Sequence, residues 1–347
     1  MTEEFYIGTY TKRISRGIYR VSVDTDAAKL TKCEWLASAG SPTYIAKSKA
    51  QRLYVVNKKE TDGQTHGGLI IYDMTDTSKP RAIQQVLDLG SSPAYVSVDE
   101  GRQLVYTANY HTAAVTVYKI ADDGSLTQVD QVIDQDPVGP APEQADGPHP
   151  HYADLTPDGR LVVCDLGTDK VYLYDVSDAG QLTPVSHVDL PAGYGPRHIT
   201  FDATKGVAYL VGELSSNVAT LTYDADAGKF AVKQITHVIP DDWTAHNGSA
   251  AIRLSADGRF VYVSNRGNNS ITVLSVADDG TLTVIQRIAT EGDFPRDFNW
   301  TADESLVLVV HQNSDNASLF KRDAATGKLT LAQKDFMVPE GVSVLPA

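Results

Sequence analysis

The amino-acid sequence predicts an all-β fold, a seven-bladed β-propeller with four antiparallel strands in each blade. A repeat of about 50 residues runs through the chain, and each repeat contains four short apolar runs separated by turn residues. No stretch shows the 3.6-residue apolar periodicity of an amphipathic helix. A four-stranded unit of this length is typical of a propeller blade.

The repeats are recognised by their opening turns, most of which contain a proline. These turns lie at Pro42, Pro93, Pro148, Pro196, His246, Pro295 and Pro339. In the repeat that opens at Pro93, we expect strands at 94–98, 104–109, 114–118 and 126–132. Asp-Gly steps recur between the apolar runs and supply the positive φ that tight hairpin turns require.

Six complete blades fit between Pro42 and about residue 335. The remaining apolar runs form a seventh blade from both chain ends: three strands at 4–10, 17–23 and 30–36, and one strand at 341–345. Pairing of the two ends would close the ring without an unpaired strand at the seam. We therefore expect residues 1–347 to form a single propeller domain.

The composition excludes several classes of partner. The net charge is −14, with 30 basic and 44 acidic residues, which argues against nucleic-acid binding and gives no attraction to anionic membranes. Cys33 and Cys164 lie in apolar runs, so buried free thiols are expected rather than a disulfide framework. The chain has neither a basic-then-apolar leader nor a run of about 20 apolar residues. We expect a soluble cytoplasmic protein, and the oligomeric state is not predicted.

Two insertions interrupt the regular repeat, at residues 62–68 and 134–147. The second is rich in proline, alanine and acidic residues and directly precedes His149. It is either a flexible connector or a rim loop over the site, and the sequence does not decide between the two.

Propeller geometry selects the candidate site residues. The start of the first strand and the end of the second strand of a blade lie at the same face, because the two strands are antiparallel. We expect these positions to surround one channel mouth. Strand starts contribute His149, His151, Arg197, His198, His246, Asn247 and Arg296, and second-strand ends contribute Asn109, Glu213 and Arg266.

Three arginines at one mouth of an acidic protein would form a local cationic patch suited to carboxylate or phosphate. Structural alternatives remain open at this stage. His149 and His151 could be turn residues bonded to backbone, and Arg266 could be exposed. Glu213 is either a partly buried carboxylate or a member of a structural salt bridge.

We expect no metal and no cofactor. The histidines lie on different blades without local ligand spacing. Arginines at the same mouth also oppose a dication. Phosphate-binding glycine loops, Rossmann fingerprints and nucleophile elbows are absent from the sequence.

Several motifs resemble the lactonase family of seven-bladed propellers, the cycloisomerase-2 type 6-phosphogluconolactonase family. They are Tyr6-Ile-Gly-Thr-Tyr-Thr, Gly147-Pro-His-Pro-His, Asp165-Leu-Gly-Thr-Asp-Lys-Val, Gly195-Pro-Arg-His, Ser264-Asn-Arg-Gly and Phe294-Pro-Arg-Asp-Phe. They occur in order over essentially the whole chain. The chain departs from the family at Phe298-Asn-Trp, a minor difference, and at His311, where the family more often has asparagine.

The resemblance implies a catalytic set of His149, Arg197, Glu213 and Arg266. It also implies hydrolysis of a small anionic lactone, with 6-phosphogluconolactone of the pentose phosphate pathway as the first expectation. The predicted mechanism needs no metal: a general base activates water, and an arginine stabilises the oxyanion.

Glu213 and His149 are both candidates for the base. The substrate-binding residues would be His151, His198, His246, Asn247, Arg296 and Asn109. A carboxymuconate-like or other carboxylated substrate is the alternative, and a non-catalytic binding propeller is the second alternative, because fold alone does not fix function.

Overall fold

The computed structural model describes residues 1–347, which form 28 β-strands and one short 3₁₀ helix. The first fifteen strands are β1 (Thr2–Thr9), β2 (Gly17–Asp24), β3 (Lys29–Ser38), β4 (Ile45–Lys47), β5 (Arg52–Thr61), β6 (Gln64–Asp73), β7 (Arg81–Leu89), β8 (Tyr95–Asp99), β9 (Leu104–Asn109), β10 (Ala114–Ile120), β11 (Leu126–Ile133), β12 (Pro150–Leu155), β13 (Leu161–Asp165), β14 (Lys170–Val176) and β15 (Leu182–Asp189). The others are β16 (Pro196–Asp202), β17 (Val207–Gly212), β18 (Asn217–Asp224), β19 (Lys229–His237), β20 (Gly248–Leu254), β21 (Phe260–Arg266), β22 (Ser270–Val276), β23 (Leu282–Ala289), β24 (Pro295–Trp300), β25 (Leu306–His311), β26 (Asn316–Arg322), β27 (Leu329–Met337) and β28 (Gly341–Pro346).

These strands form seven four-stranded sheets. Six sheets are built from four consecutive strands, beginning with β4–β7 and ending with β24–β27. The seventh has the order β28-β1-β2-β3, so it joins the two ends of the chain as predicted. Neighbouring strands are antiparallel, as between β9 and β10 or between β21 and β22.

The seam between the chain ends is held by two sets of hydrogen bonds. β28 pairs with β1 from Phe5 opposite Pro346 to Thr9 opposite Gly341. The buried Glu340 carboxylate, just before β28, accepts N–H bonds at 2.9–3.1 Å from the backbone of the loop after β1, at Lys12, Arg13, Ile14 and Ser15. A carboxylate with this many donors satisfies backbone groups that would otherwise be left unpaired.

The chain packs as two compact units. Unit 1 comprises Met1–Trp35, His198–Thr222 and Val232–Ala347. Unit 2 comprises Leu36–Arg197 and Tyr223–Ala231. The single-domain organisation expected for residues 1–347 stays a prediction.

Each unit has cores formed by the apolar faces of neighbouring sheets. In unit 1, Phe298, Phe320 and Tyr262 pack together between β20–β23 and β24–β27. In unit 2, Tyr54 and Tyr118 belong to the corresponding core between β4–β7 and β8–β11. The alternation of apolar and polar residues along each strand places these side chains inside.

One register position recurs in the sheets and is important for the site. Near the ends of β9, β13 and β21, one residue lies opposite the first residue of the next strand: Asn109 opposite Ala114, Asp165 opposite Lys170, and Asn265 opposite Ser270. The next residue, Tyr110, Leu166 or Arg266, therefore occupies the same place in each sheet. Blades can therefore be compared residue by residue.

The structure corrects two details of the sequence interpretation. Residues 62–68 are not a loop insertion. β5 and β6 are longer than the corresponding strands of the other sheets, and the turn that joins them is at Asp62 and Gly63. Cys164 is buried as expected, but Cys33 is only partly buried. Burial raises the pKa of the Cys33 thiol to about 11.

The only helix is the three-residue segment Pro142–Gln144, which is far too short to cross a membrane.

Removal of residues 340–347 is expected to destabilise unit 1 strongly. The truncation removes the buried side chains of Val342 and Val344, whose burial stabilises the fold by about 3–6 kcal/mol together. It also removes the Glu340 carboxylate that accepts the N–H bonds of the loop after β1. Thermal unfolding followed by circular dichroism measures the loss. Removal of Ala347 alone is the control, and equal melting temperatures for the longer truncation and the intact chain would refute this role of β28.

Candidate active site

His149 is fixed at the start of β12 by its own backbone. The Asp165 carboxylate, at the end of β13, accepts N–H bonds from His149 at 2.8 Å, Gly167 at 2.8 Å and Thr168 at 3.0 Å. The Leu166 N–H returns a bond to the His149 carbonyl at 3.0 Å. These bonds tie the start of the first strand to the turn after the second strand.

The His149 imidazole is buried and has contacts on both ring nitrogens. Its ring stacks on Tyr110 with centroids 4.0 Å apart and an interplanar angle of 2°. Nδ1 lies 2.6 Å from the Tyr110 carbonyl oxygen, and Nε2 lies 3.0 Å from Asp146 Oδ1. His151 meets the edge of the same Tyr110 ring at 6.0 Å.

These partners determine which ring nitrogens carry hydrogen. A carbonyl oxygen can only accept, so Nδ1 donates to Tyr110. The exposed Asp146 carboxylate is also an acceptor, so Nε2 donates to it. Both ring nitrogens of His149 therefore face hydrogen-bond acceptors, and the face of its ring lies against Tyr110.

The 134–147 insertion is held firmly against unit 2. Gln144 is fully buried, and its side-chain amide donates at 2.8 Å to the Leu166 carbonyl and at 2.8 Å to Asp169. Gly139 adds a backbone bond of 2.8 Å to Gly167. Of the two interpretations left open, the structure excludes the flexible connector. The segment is a fixed rim loop that brings Asp146 to His149.

Asp165 lies near a second acid, Asp134, the first residue of this loop. Burial raises the pKa of Asp165, and the nearby Asp134 carboxylate raises it further. The N–H of His149, which donates to Asp165, opposes this change.

Glu213 and Arg266 form an ion pair in unit 1. Arg266 is the last residue of β21, and Glu213 directly follows β17. Arg266 Nη2 lies 2.9 Å from Glu213 Oε1, with side-chain exposures of 6% and 20%. Glu213 is therefore both a partly buried carboxylate and a member of a salt bridge, the two alternatives left open by the sequence. The interpretation of Arg266 as an exposed hairpin residue is wrong, because its neighbours cover it.

Backbone and aromatic contacts hold the Arg266 guanidinium in place. Nε donates to the Gly248 carbonyl at 2.9 Å, and the guanidinium carbon lies 5.2 Å from the Phe294 ring centroid. A Cβ at Gly248 would stand 2.8 Å from Nη2, so glycine is needed for this close approach. These contacts leave other guanidinium hydrogens to bind an oxygen of a substrate.

The other predicted residues have different surroundings. The side-chain amide of Asn109 is bonded to backbone groups: it donates to the Ser91 carbonyl at 2.8 Å and accepts from the His111 N–H at 3.1 Å. Asn247 donates to Ser216 at 2.8 Å. Both asparagines hold turns.

Arg197 and His198 are buried at the start of β16, while His246 is exposed. Arg296 is half-buried, with its guanidinium 5.5 Å from the Tyr10 ring centroid. The convergence of all ten predicted residues on one mouth stays a prediction.

Sequence reasoning missed Tyr110, Asp146 and Phe294. Tyr110 follows Asn109 as Arg266 follows Asn265, so the same register applied one residue further would have selected it. Asp146 lies in a segment without strand periodicity, and no sequence signal pointed to it.

The chain matches known proteins over nearly its full length. A family model described as "Lactonase, 7-bladed beta-propeller" covers residues 4–346. A Bacillus subtilis (strain 168) protein named 6-phosphogluconolactonase is 41% identical over 345 residues, which are 98% of this chain and 97% of that protein.

Solved structures agree with this match. A protein from Lactobacillus plantarum has a TM-score of 0.96 and 52% identity, covering 100% of both chains. A Pseudomonas aeruginosa periplasmic gluconolactonase has a TM-score of 0.92 and 29% identity, covering 100% of this chain and 99% of its own. The predicted fold class, an all-β seven-bladed propeller, is confirmed.

His311 gives this protein a specific sensitivity to acid. Its ring is buried, Nδ1 donates to the Asn316 carbonyl at 3.1 Å, and burial lowers the pKa to about 4. Below the ordinary histidine pKa of about 6.5 the unfolded chain binds a proton that the folded chain does not, so stability falls as the pH falls.

Between pH 7 and pH 5 we expect His311 to lower the free energy of unfolding by about 2 kcal/mol. Urea unfolding at the two pH values measures it. The His311→Asn variant should lose that much less on acidification, because every other titrating group is common to both proteins. The same loss in both proteins would contradict a neutral, buried His311.

Proposed function

The chain belongs to the lactonase family of seven-bladed β-propellers, and from this premise we propose that it hydrolyses a sugar-phosphate lactone, 6-phosphogluconolactone. The name of the Bacillus subtilis relative supports this substrate. The observation that carries the proposal is the Glu213–Arg266 pair, a partly exposed carboxylate held in a fixed direction by a guanidinium.

Opening a lactone requires three chemical roles. A base removes a proton from water as the water oxygen bonds to the carbonyl carbon, and a cation stabilises the negative charge on the carbonyl oxygen. An acid then protonates the ring oxygen as its bond to that carbon breaks. The product carries a carboxyl group and a new hydroxyl group, and proton exchange with solvent restores the enzyme.

Glu213 suits the role of base. Its carboxylate keeps 20% of its surface exposed, so water can reach it, while Arg266 fixes its orientation. The remaining guanidinium hydrogens of Arg266 can donate to the developing oxyanion, where such donors are most effective. The pair thus supplies both proton removal and charge stabilisation.

His149 suits the role of acid. With Nδ1 donating to Tyr110 and Nε2 donating to Asp146, the ring has no lone pair with which to accept a proton from water. The base assignment, open from the sequence, therefore goes to Glu213. Transfer of the Nε2 proton to the leaving oxygen would require the exposed Asp146 side chain to rotate away from Nε2.

We assign the substrate phosphate to Arg296. Its half-buried guanidinium lies over the Tyr10 ring and carries no acidic partner among the ion pairs of the structure. Arginine recognises phosphate through paired N–H donors. Arg197 remains the second arginine proposed for the anionic parts of the substrate, and His151, His198 and His246 remain proposed substrate contacts. The side-chain amides of Asn109 and Asn247, the other two predicted contacts, are bonded within their turns.

An unphosphorylated sugar lactone is the second candidate substrate. The similarity to the Pseudomonas aeruginosa gluconolactonase favours it. Assays with freshly prepared 6-phosphogluconolactone and with glucono-1,5-lactone separate the two. A higher kcat/KM for the phosphorylated lactone supports the first proposal, a preference for the other lactone supports the second, and no hydrolysis of either refutes both.

Glu213→Gln and Arg266→Ala should each lower kcat/KM for 6-phosphogluconolactone by about 10²–10³-fold. The first removes the proton acceptor while keeping its shape, and the second removes the oxyanion donor. Spontaneous lactone opening must be subtracted from each rate.

Arg259→Gln is the matched control, because Arg259 is an exposed arginine just before β21, at the opposite end of that strand from Arg266, with its own partners in Asp257 at 3.8 Å and the Ala325 carbonyl at 2.8 Å. It should retain full activity. All variants should melt within a few degrees of the unmodified protein. Near-normal turnover of both active-site variants would overturn the assignment.

A further inference from the structure

Unit 2 contains a cavity of about 350 Å³ between the β4–β7 sheet and the β8–β11 sheet. Its walls come from the ends of β6 and β7 on one side and from β9, β10 and β11 on the other. His149, Glu213 and Arg266 do not line it. Of the ten predicted site residues only Asn109 does, and its side-chain amide is bonded to the backbone of Ser91 and His111. The volume is at the lower end of the range for small-molecule pockets, which is about 300–1,000 Å³.

The cavity lies where the end of β7 departs from a recurring arrangement. After the fourth strand of a sheet, one residue donates its N–H to the carbonyl of the residue before the third strand. The buried residues at this position are Leu190, Val238, Thr290 and Val338, with N–H bonds of 2.8–3.1 Å. In the β4–β7 sheet, β5 and β6 run longer, so the residue in the same register is Asp88, and the chain leaves the sheet only at Gly90, which donates to Thr65 at 2.9 Å.

The β8–β11 sheet faces the cavity with polar side chains whose counterparts in the β20–β23 sheet are bonded to a backbone carbonyl. In unit 1, the cross-strand pair Thr272 and Arg287 donates to the carbonyl of Val238. The corresponding pair in unit 2 is Thr116 and Gln131, which bond each other at 2.9 Å and line the cavity. Gln131 therefore keeps its amide oxygen and one N–H for another partner.

The lining chemistry selects a neutral, hydroxyl-rich ligand. Thr107, Thr112, Thr116, Gln131 and Ser91 present hydroxyl and amide groups, and the only charged residue is Asp88. The wall contains no lysine or arginine, it contains the Asp88 carboxylate, and the whole chain has a net charge of −14. A phosphorylated or carboxylated ligand would therefore be repelled. Hydroxyl and amide side chains can donate to and accept from the hydroxyls of a sugar.

The rim adds apolar surface. Leu89 and Ile133 line the cavity with 67% and 53% of their surface exposed. Apolar walls with a few fixed polar groups are typical of small-ligand sites. We propose that this cavity is a binding site for a neutral mono- or disaccharide, separate from the lactone reaction and independent of the function proposed above.

Titration calorimetry and saturation-transfer NMR with D-glucose, maltose and glucose 6-phosphate test the proposal on the full chain. We expect saturable, millimolar binding of at least one neutral sugar and at least tenfold weaker binding of the phosphate. No saturable binding of either neutral sugar, or equal binding of glucose 6-phosphate, would overturn it.

Two variants locate the site. Thr116→Val and Gln131→Leu keep the shape of the wall but remove its hydrogen bonds, and together they should weaken sugar binding at least fivefold. Thr112→Leu should abolish it, because Thr112 Cγ2 already lies where a side chain at position 90 would point, 3.6 Å from its Cβ.

The same variants should keep the melting temperature and the rate of lactone hydrolysis of the unmodified protein. Sugar binding that survives both the double variant and Thr112→Leu would place the sugar elsewhere and refute the proposed site.

Discussion

A polar side chain at the end of the second strand holds each proposed reactive segment in place. Asp165 accepts from three N–H groups, including that of His149, and the Asn265 amide oxygen accepts from the Ser249 hydroxyl at 2.7 Å. In another sheet the Asn57 amide oxygen accepts from the Gly40 N–H at 2.7 Å. Buried backbone N–H groups must be paired, and each one left unpaired costs about 1–3 kcal/mol. The sheet edge is therefore rigid where reactive side chains leave it.

That rigidity also positions the two proposed reactive clusters. In unit 2, the Tyr110 carbonyl and the rim loop with Asp146 place acceptors at both ring nitrogens of His149. In unit 1, Gly248 and Phe294 position the Arg266 guanidinium, which in turn orients Glu213. A buried ion pair alone contributes little stability, since desolvation offsets the attraction. The Glu213–Arg266 pair is partly open to water, as the proposed reaction requires.

The strand pattern was predictable because its signals are local. Apolar alternation and Asp-Gly turns mark each strand, and the leftover runs at the two ends required the β28–β1 seam. The register of second-strand ends also selected Glu213 and Arg266, which the structure brings together. These inferences needed only the two-residue period of a strand and the antiparallel order of neighbours.

The rest depends on features that residue type does not reveal. Asn109 and Asn247 look like ligand-binding residues, yet their amides hold turns, a role that asparagine fills equally well. Tyr110 acts through its carbonyl and its ring face, and Asp146 acts from an irregular loop. The cavity lies beside the lengthened strands β5 and β6 and the turn at Gly90, and no sequence motif marks it.

The protonation state of His149 in the substrate-free protein tests the central claim most directly. Two-bond ¹H–¹⁵N correlation spectra at neutral pH report it, with His149→Asn for assignment and Asp146→Asn as the matched variant. The account predicts hydrogen on both ring nitrogens in the unmodified protein, and on Nδ1 alone in Asp146→Asn, where the carboxylate is gone. An unprotonated Nε2 in the unmodified protein would contradict the account, because His149 would then be a proton acceptor.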